Sequence, residues 1–68
     1  MLLPLRLKRL EKGLTQYELH LMSGVPHSRI SYGERGFPCL TLNHKEKLAK
    51  ALGVRLQDIF PESKGSEK

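Results

Sequence analysis

The side chains best suited to recognising another molecule are gathered between positions 27 and 35 of the chain. Four hydrogen-bonding residues would share one face of a helix there: His27, Ser28, Ser31 and Tyr32. Arg29 and Arg35 would lie at the flanks of that face. A helix with such a face fits the major groove of B-form DNA, where base edges carry distinguishable donors and acceptors. The segment is therefore a candidate for reading double-stranded DNA.

A pair of short helices would hold this face in place. Thr15, with Glu18 three residues later, is a capping-box pattern and predicts a helix over about residues 16–22. Gly24 permits the positive backbone angle of a tight turn. A third helix should then begin at Pro26 or His27 and end near residue 35. The spacing predicts a helix-turn-helix unit made by the second and third helices.

Apolar residues inside this unit predict how the two helices cross. Leu19, Val25 and Ile30 supply the contacts that lock a steep crossing. The outer face of the third helix stays free as a result. Gln16, at the start of the second helix, is placed to meet a phosphate with its side chain and with the first amides of the helix.

The first helix is predicted by a leucine stripe of three- and four-residue spacing, and it should cover about residues 4–12. Pro4 suits its first turn, and Gly13 follows it as a terminating residue. The stripe, which is typical of an amphipathic helix, consists of Leu3, Leu7, Leu10 and Leu14.

The remaining helices should follow a loop that ends near Leu42. The start of the fourth helix is open between two patterns, a capping box over residues 43–46 and a cap at Thr41. Its end is predicted at Leu52. A short fifth helix over residues 56–60 should be stopped by the proline after it. We therefore expect an all-α fold of five helices, with one domain over residues 1–61 and a flexible polar tail over residues 62–68.

The sequence resembles the helix-turn-helix domains of phage repressors, Cro proteins and Xre-type bacterial regulators over about residues 5–60. The matching motifs are Thr15-Gln16, Leu19, Gly24-Val25, Ile30-Ser31, Glu34-Arg35-Gly36 and Leu48-Ala49-Lys50-Ala51-Leu52-Gly53-Val54. The resemblance implies a compact five-helix, lambda-repressor-like domain. It also implies a transcriptional regulator, expected to be a repressor, that binds double-stranded DNA as a homodimer on an inverted-repeat operator.

The same resemblance assigns a role to individual residues. It implies base contacts from His27, Ser28, Ser31 and Tyr32. It implies phosphate contacts from Gln16, Arg29, Arg35 and the amide of Gly36. It further implies a structural ion pair between Arg9 and Glu34, which would fix the first helix against the third.

Three positions near the end of the third helix depart from the family pattern or leave alternatives open. Gly33 replaces a large apolar residue, which should cost about 1 kcal/mol in helix propensity and more if a void is left. The ring of Tyr32 could cover that gap instead of contacting a base. Phe37 could pack into the core or onto the sugar-phosphate backbone, with the core favoured.

Composition supports a polyanionic partner and excludes several other functions. Twelve Lys and Arg against seven Asp and Glu give a formal net charge of +5 in 68 residues. No nucleophile motif or phosphate-binding glycine loop occurs, so no enzyme is predicted. The spacing of the potential ligands His20, His27, Cys39 and His44 matches no zinc pattern, so neither metal nor cofactor is predicted.

The expected location is the cytoplasm, with no contact to a membrane. Arg6 and Lys8 interrupt the apolar opening of the chain before a membrane span or signal peptide could form. A lone cysteine fits a reducing compartment. The rival hypothesis is a protein-interaction module, such as an antitoxin, on the same fold. An exposed apolar patch would favour this rival, although it could equally make the homodimer; its candidate members are Leu2, Leu3, Leu40 and Phe60.

Overall fold

Five short helices and no strand make up residues 3–61, the part of the chain that the computed structural model describes. The helices are α1 (Pro4–Glu11), α2 (Gln16–Ser23), α3 (His27–Glu34), α4 (Leu42–Leu52) and α5 (Leu56–Ile59). The predicted helix count and order are confirmed. The predicted tail at residues 62–68 and Leu2 of the predicted patch lie outside the described residues.

The core lies where all five helices meet and is built from aliphatic side chains with one aromatic ring. Its buried members are Leu5, Leu19, Val25, Ile30, Leu48, Ala49, Leu52, Ile59 and Phe60. Full burial of an aliphatic side chain of this kind contributes about 1.5 to 3 kcal/mol. The three residues predicted to lock the helix crossing are all among them, with no exposed surface.

The helix-turn-helix unit is bounded by the predicted local signals. The hydroxyl of Thr15 accepts from the amide of Glu18 at 3.0 Å, and the Glu18 carboxylate accepts from the amide of Thr15 at 2.8 Å. Gly24 has φ of +79° and donates its amide to the carbonyl of His20 at 2.9 Å. That left-handed conformation suits glycine and turns the chain sharply into α3.

Helix α4 takes the second of the two predicted starts. The Thr41 hydroxyl accepts from the amide of His44 at 3.2 Å, and Nδ1 of His44 accepts from the amide of Thr41 at 3.3 Å. Because the helix begins at Leu42, a capping box over residues 43–46 would lie inside the first turn and does not form. The end of the helix at Leu52 is confirmed.

The first helix presents a different side to the core from the leucine stripe. Leu5 and Arg9, four residues apart, are its buried residues. Leu7 and Leu10 are each 46% exposed, and Leu3 is 37% exposed. Only Leu14, beyond the helix, packs against the core. The other three leucines of the stripe are therefore an apolar surface of the single chain, and α1 is held to the domain by Leu5 and Arg9 instead.

The space that a side chain at position 33 would take is occupied by Leu40. A β-carbon built on Gly33 would lie 2.6 Å from Cδ1 of Leu40, so the leucine side chain already occupies the space. The additional cost of a void does not arise, and of the two alternatives for Tyr32 the covering of a gap at Gly33 is excluded because Leu40 occupies that space. The α3–α4 loop places Leu40 against the backbone of α3, and a side chain at position 33 would require the Leu40 side chain to shift.

Candidate nucleic-acid interface

The outer face of α3 carries the four side chains predicted to contact bases. His27, Ser28 and Tyr32 are exposed, and Ser31 is half-buried. The opposite side of the same helix is buried. The eight-residue helix carries hydrogen-bonding groups on its outer side. Because its other side is packed into the core, this outer surface is held rigidly.

The inner face of α3 is fixed by a buried ion pair. Arg9 donates from Nε to Glu34 at 2.6 Å and from Nη2 to the other carboxylate oxygen at 3.0 Å. Both side chains are almost fully buried, with exposed fractions of 8% for arginine and 2% for glutamate. This two-point geometry between guanidinium and carboxylate is strong and directional. The structure thus brings together the two residues assigned to the ion pair.

Two further contacts extend this pair into a network that joins three helices. Nη1 of Arg9 donates to the carbonyl of Leu14 at 2.7 Å, at the entrance to α2. Nε2 of Gln16 donates to Glu34 at 2.9 Å. Glu34 therefore accepts from α1 and α2 while lying on α3. Because the charged groups are satisfied by several hydrogen bonds, their burial is compatible with a stable domain.

Three aromatic rings lie together at the N-terminal end of the outer face of α3. The ring of His27 lies 6.5 Å from that of Tyr17 and 6.4 Å from that of His20, measured between centroids. Nδ1 of His20 lies 2.7 Å from the carbonyl oxygen of Val25. Since a carbonyl oxygen only accepts, this nitrogen carries a proton and donates it. This hydrogen bond fixes the His20 side chain to the turn between α2 and α3. The His20 ring lies beside that of His27.

A second aromatic group lies at the far end of the face. The ring of Tyr32 meets that of Phe37 edge-on, with centroids 5.6 Å apart. The guanidinium of Arg35 lies over the Tyr32 ring at 5.4 Å. Phe37 is 54% exposed, so the prediction that it packs into the core is wrong. Leu40 fills the nearby interior space and leaves Phe37 at the surface beside Tyr32.

Arg29 joins α3 to the loop that follows it. Its Nη1 donates to the carbonyl of Cys39 at 2.8 Å, and Sγ of Cys39 donates weakly to the carbonyl of Arg29 at 3.5 Å. The guanidinium is exposed and keeps further N–H donors beyond this bond. Its position is therefore fixed at the edge of the outer face by contacts that the sequence pattern did not predict.

The family of the chain follows from comparison with known proteins. The helix-turn-helix family model matches residues 5–59, more than half of the 68-residue chain. The chain belongs to the helix-turn-helix family. Regulators of the Xre, Cro and C1 type in this family bind DNA and generally are not enzymes, and their fold is the lambda-repressor-like one. No curated protein and no solved structure gives a significant match to the chain.

The residues predicted to contact phosphates in this helix-turn-helix protein differ in their exposure and in their hydrogen bonds. The side chain of Arg35 is exposed, and that of Gln16 is half-buried through its bond to Glu34. The amides of Gln16 and Tyr17 have no carbonyl one turn earlier and remain suited to an anion, whereas the amide of Glu18 donates to the Thr15 hydroxyl. The amide of Gly36 instead donates to the carbonyl of Gly33 at 3.1 Å, which leaves it engaged within the chain.

Sequence reasoning did not predict that the rings of Tyr17 and His20 would lie beside that of His27. Their three-residue spacing on α2 was the available signal, since residues three apart share one side of a helix. No three His, Cys, Asp or Glu side chains within residues 3–61 lie together in a way that would hold a metal ion. In that same part of the chain no helix has the length and apolar character needed to cross a bilayer.

Proposed function

We propose that this helix-turn-helix protein is a transcriptional repressor that acts in the cytoplasm as a homodimer on an inverted-repeat operator. Two copies place their α3 helices in successive major grooves, about 34 Å apart on one side of the double helix. Occupancy of the operator then blocks the polymerase. The mechanism needs no cofactor, because recognition is carried by side chains and amides of the chain itself.

The observation that carries this proposal is the difference between the two sides of α3. His27, Ser28 and Tyr32 face outward, while Glu34 ties the inner side to α1 and α2. Hydroxyl and imidazole groups can both donate and accept, so they suit the mixed donor and acceptor patterns of base edges. A helix held this firmly loses little conformational freedom when it enters a groove.

Affinity and specificity are assigned to different residues. Phosphate contacts from Arg29, Arg35 and the start of α2 at Gln16 supply most of the binding free energy, since they neutralise backbone charge. Base contacts from the outer face of α3 supply discrimination. Arg35 has a further role, because its guanidinium covers the ring of Tyr32 and fixes that ring near the bases.

The test is a selection of binding sites from random duplex DNA, followed by titration of the enriched site at two salt concentrations. We expect an inverted repeat whose half-site spacing reports the dimer, and an affinity that falls steeply with salt. Enrichment of no sequence above non-specific binding would overturn the proposal. A scrambled duplex of equal length and base composition is the matched control.

The rival function, a protein-interaction module, was expected to use an exposed apolar patch. Two members of that patch are not exposed. Leu40 is half-buried and Phe60 is only 6% exposed, so neither offers a large apolar surface. Leu3 remains exposed at the edge of this region. These three residues nevertheless line one pocket of about 390 Å³, so a partner protein there would have to insert a small apolar group rather than pack on a flat surface.

A further inference from the structure

Three residues of the leucine stripe, Leu3, Leu7 and Leu10, form an apolar surface that the single chain leaves exposed. They are spaced by four and three residues, whereas Leu14, beyond the helix, packs against the core. This alternation is the repeat by which two helices pack side by side in a coiled coil. We propose that the stripe is the surface through which two copies of this chain pair, with their α1 helices parallel. The inference rests on the homodimer of the proposed function and assigns its contact.

Leu7 and Leu10 lie away from the buried side of α1. Successive residues of a helix are rotated by about 100°, which places Leu7 and Leu10 nearly opposite the side that carries Leu5 and Arg9. That buried side makes the ion pair to Glu34 on α3. A second copy seated on the stripe therefore touches neither the buried network nor the inner contacts of α3.

Charge complementarity identifies the occupant as a second copy in a parallel orientation. Arg6 and Glu11 flank the stripe at the two positions next to the seam and are exposed. In a parallel pair, the first of these positions faces the second in the other helix, five residues further along. Arg6 and Glu11 have this separation, so two opposite-charge contacts form. In an antiparallel pair each residue would face its own copy, and like charges would repel.

Glu11 is already engaged in the single chain. Nζ of Lys8 donates to its carboxylate at 3.0 Å, and both side chains are substantially exposed. An exposed contact of this kind contributes little, and a carboxylate can accept from two cations. Pairing of the two copies therefore does not require the Lys8 contact to break.

The small size of the stripe implies weak pairing in the absence of DNA. A helix of eight residues is only about 12 Å long. Its contact area lies well below the roughly 1,200 Å² at which stable complexes begin. Two adjacent half-sites on DNA would raise the effective concentration of the copies and favour the pair. Covalent trapping is accordingly a better readout than an equilibrium dimer population.

The experiment traps the pair as a disulfide in protein without DNA. Cys39→Ser removes the native thiol, and Leu7→Cys then places one thiol on the seam. In a parallel pair, position 7 meets position 7 of the other copy, close enough for a disulfide. We expect L7C to form disulfide-linked dimers several times faster than Lys12→Cys, which lies on the other side of the same chain segment.

Either of two results would overturn the parallel arrangement. One is a rate for L7C no higher than for K12C. The other is cross-linking only in a mixture of L7C with Leu10→Cys, since position 7 meets position 10 in an antiparallel pair. Helical circular dichroism checks that each variant is folded. Because no DNA is present, failure here leaves the operator selection intact, and failure of that selection leaves this result intact.

A charge exchange in the L7C protein tests the flanking contacts. Arg6→Glu alone and Glu11→Arg alone each create like-charge contacts and should slow cross-linking about two- to fivefold at low salt. The double variant R6E/E11R restores opposite charges and should restore the rate. Glu46→Arg, on α4, is the matched control for the change in net charge caused by Glu11→Arg. A double variant as slow as the single ones would refute the assigned pairing.

Discussion

The two sides of α3 differ in what holds them. On the inner side Ile30 is fully buried, and Glu34 accepts three hydrogen bonds from Arg9 and Gln16. On the outer side His27 and Ser28 are exposed, and the ring of His27 lies near those of Tyr17 and His20. Stability is therefore concentrated on one side of a two-turn helix and recognition on the other, so substitutions should affect the two properties separately.

The largest effect is expected from Glu34→Ala on the inner side. Removing the carboxylate leaves Arg9 buried without its partner and should lower the free energy of unfolding by about 3 to 5 kcal/mol. Urea denaturation followed by circular dichroism measures the loss. Glu11→Ala, which breaks the exposed contact to Lys8, should cost about 1 kcal/mol or less. Equal losses in the two variants would show that the buried network does not stabilise the domain.

The next effect concerns DNA preference and belongs to the outer side. His27→Ala and Ser28→Ala should each relax discrimination at one base pair by about 1 to 3 kcal/mol. Because both side chains are exposed, unfolding free energies should stay within about 0.5 kcal/mol of the parent. Titration against single-base operator variants gives the first quantity. A uniform loss of affinity on all these variants would contradict base reading by these residues.

Gly33→Ala tests how tightly the end of α3 is packed. The added methyl would meet Cδ1 of Leu40 at 2.6 Å. Overpacking costs about 1 to 3 kcal/mol and should outweigh the roughly 1 kcal/mol gained in helix propensity. In a Leu40→Ala background the same change should instead stabilise the protein. Urea denaturation of the four proteins gives the coupling, and additive effects would show that Leu40 does not fill this space.

The smallest effect is expected from Arg35→Ala, at the flank of the outer face. Loss of one phosphate contact should weaken binding to all sequences alike and reduce the salt slope by about one. Binding measured over a range of salt concentrations checks this. Lys47→Ala, an exposed cation on α4, is the comparison variant. A changed base preference in R35A would show instead that the contact between Arg35 and the Tyr32 ring matters more than the charge of Arg35.

Local signals made the helix-turn-helix unit the most predictable part of the fold. Thr15, Glu18 and Gly24 each act within a few residues, and the structure uses all three. The side of α1 that faces the core was not predictable in this way. Burial of Arg9 depends on Glu34, 25 residues away in the chain, and leucine spacing contains no information about that contact.

The candidate site likewise has features that the sequence predicted and features that it did not. Helical periodicity was sufficient to group His27, Ser28 and Tyr32 on one face. The bond from Arg29 to the loop and the surface position of Phe37 depend on how residues after α3 turn back. These features follow from a loop conformation and from Leu40 filling the interior, neither of which has a local sequence signal.

The central claim is that the outer face of α3 reads bases, and one selection tests it directly. The random-duplex selection is repeated with a variant in which His27, Ser28 and Tyr32 are all alanine. A control carries alanine at three exposed α4 positions: Asn43, Glu46 and Lys47. We predict that the control enriches the parent operator and that the α3 variant loses or changes that preference. Enrichment of the same operator by both proteins would contradict the claim.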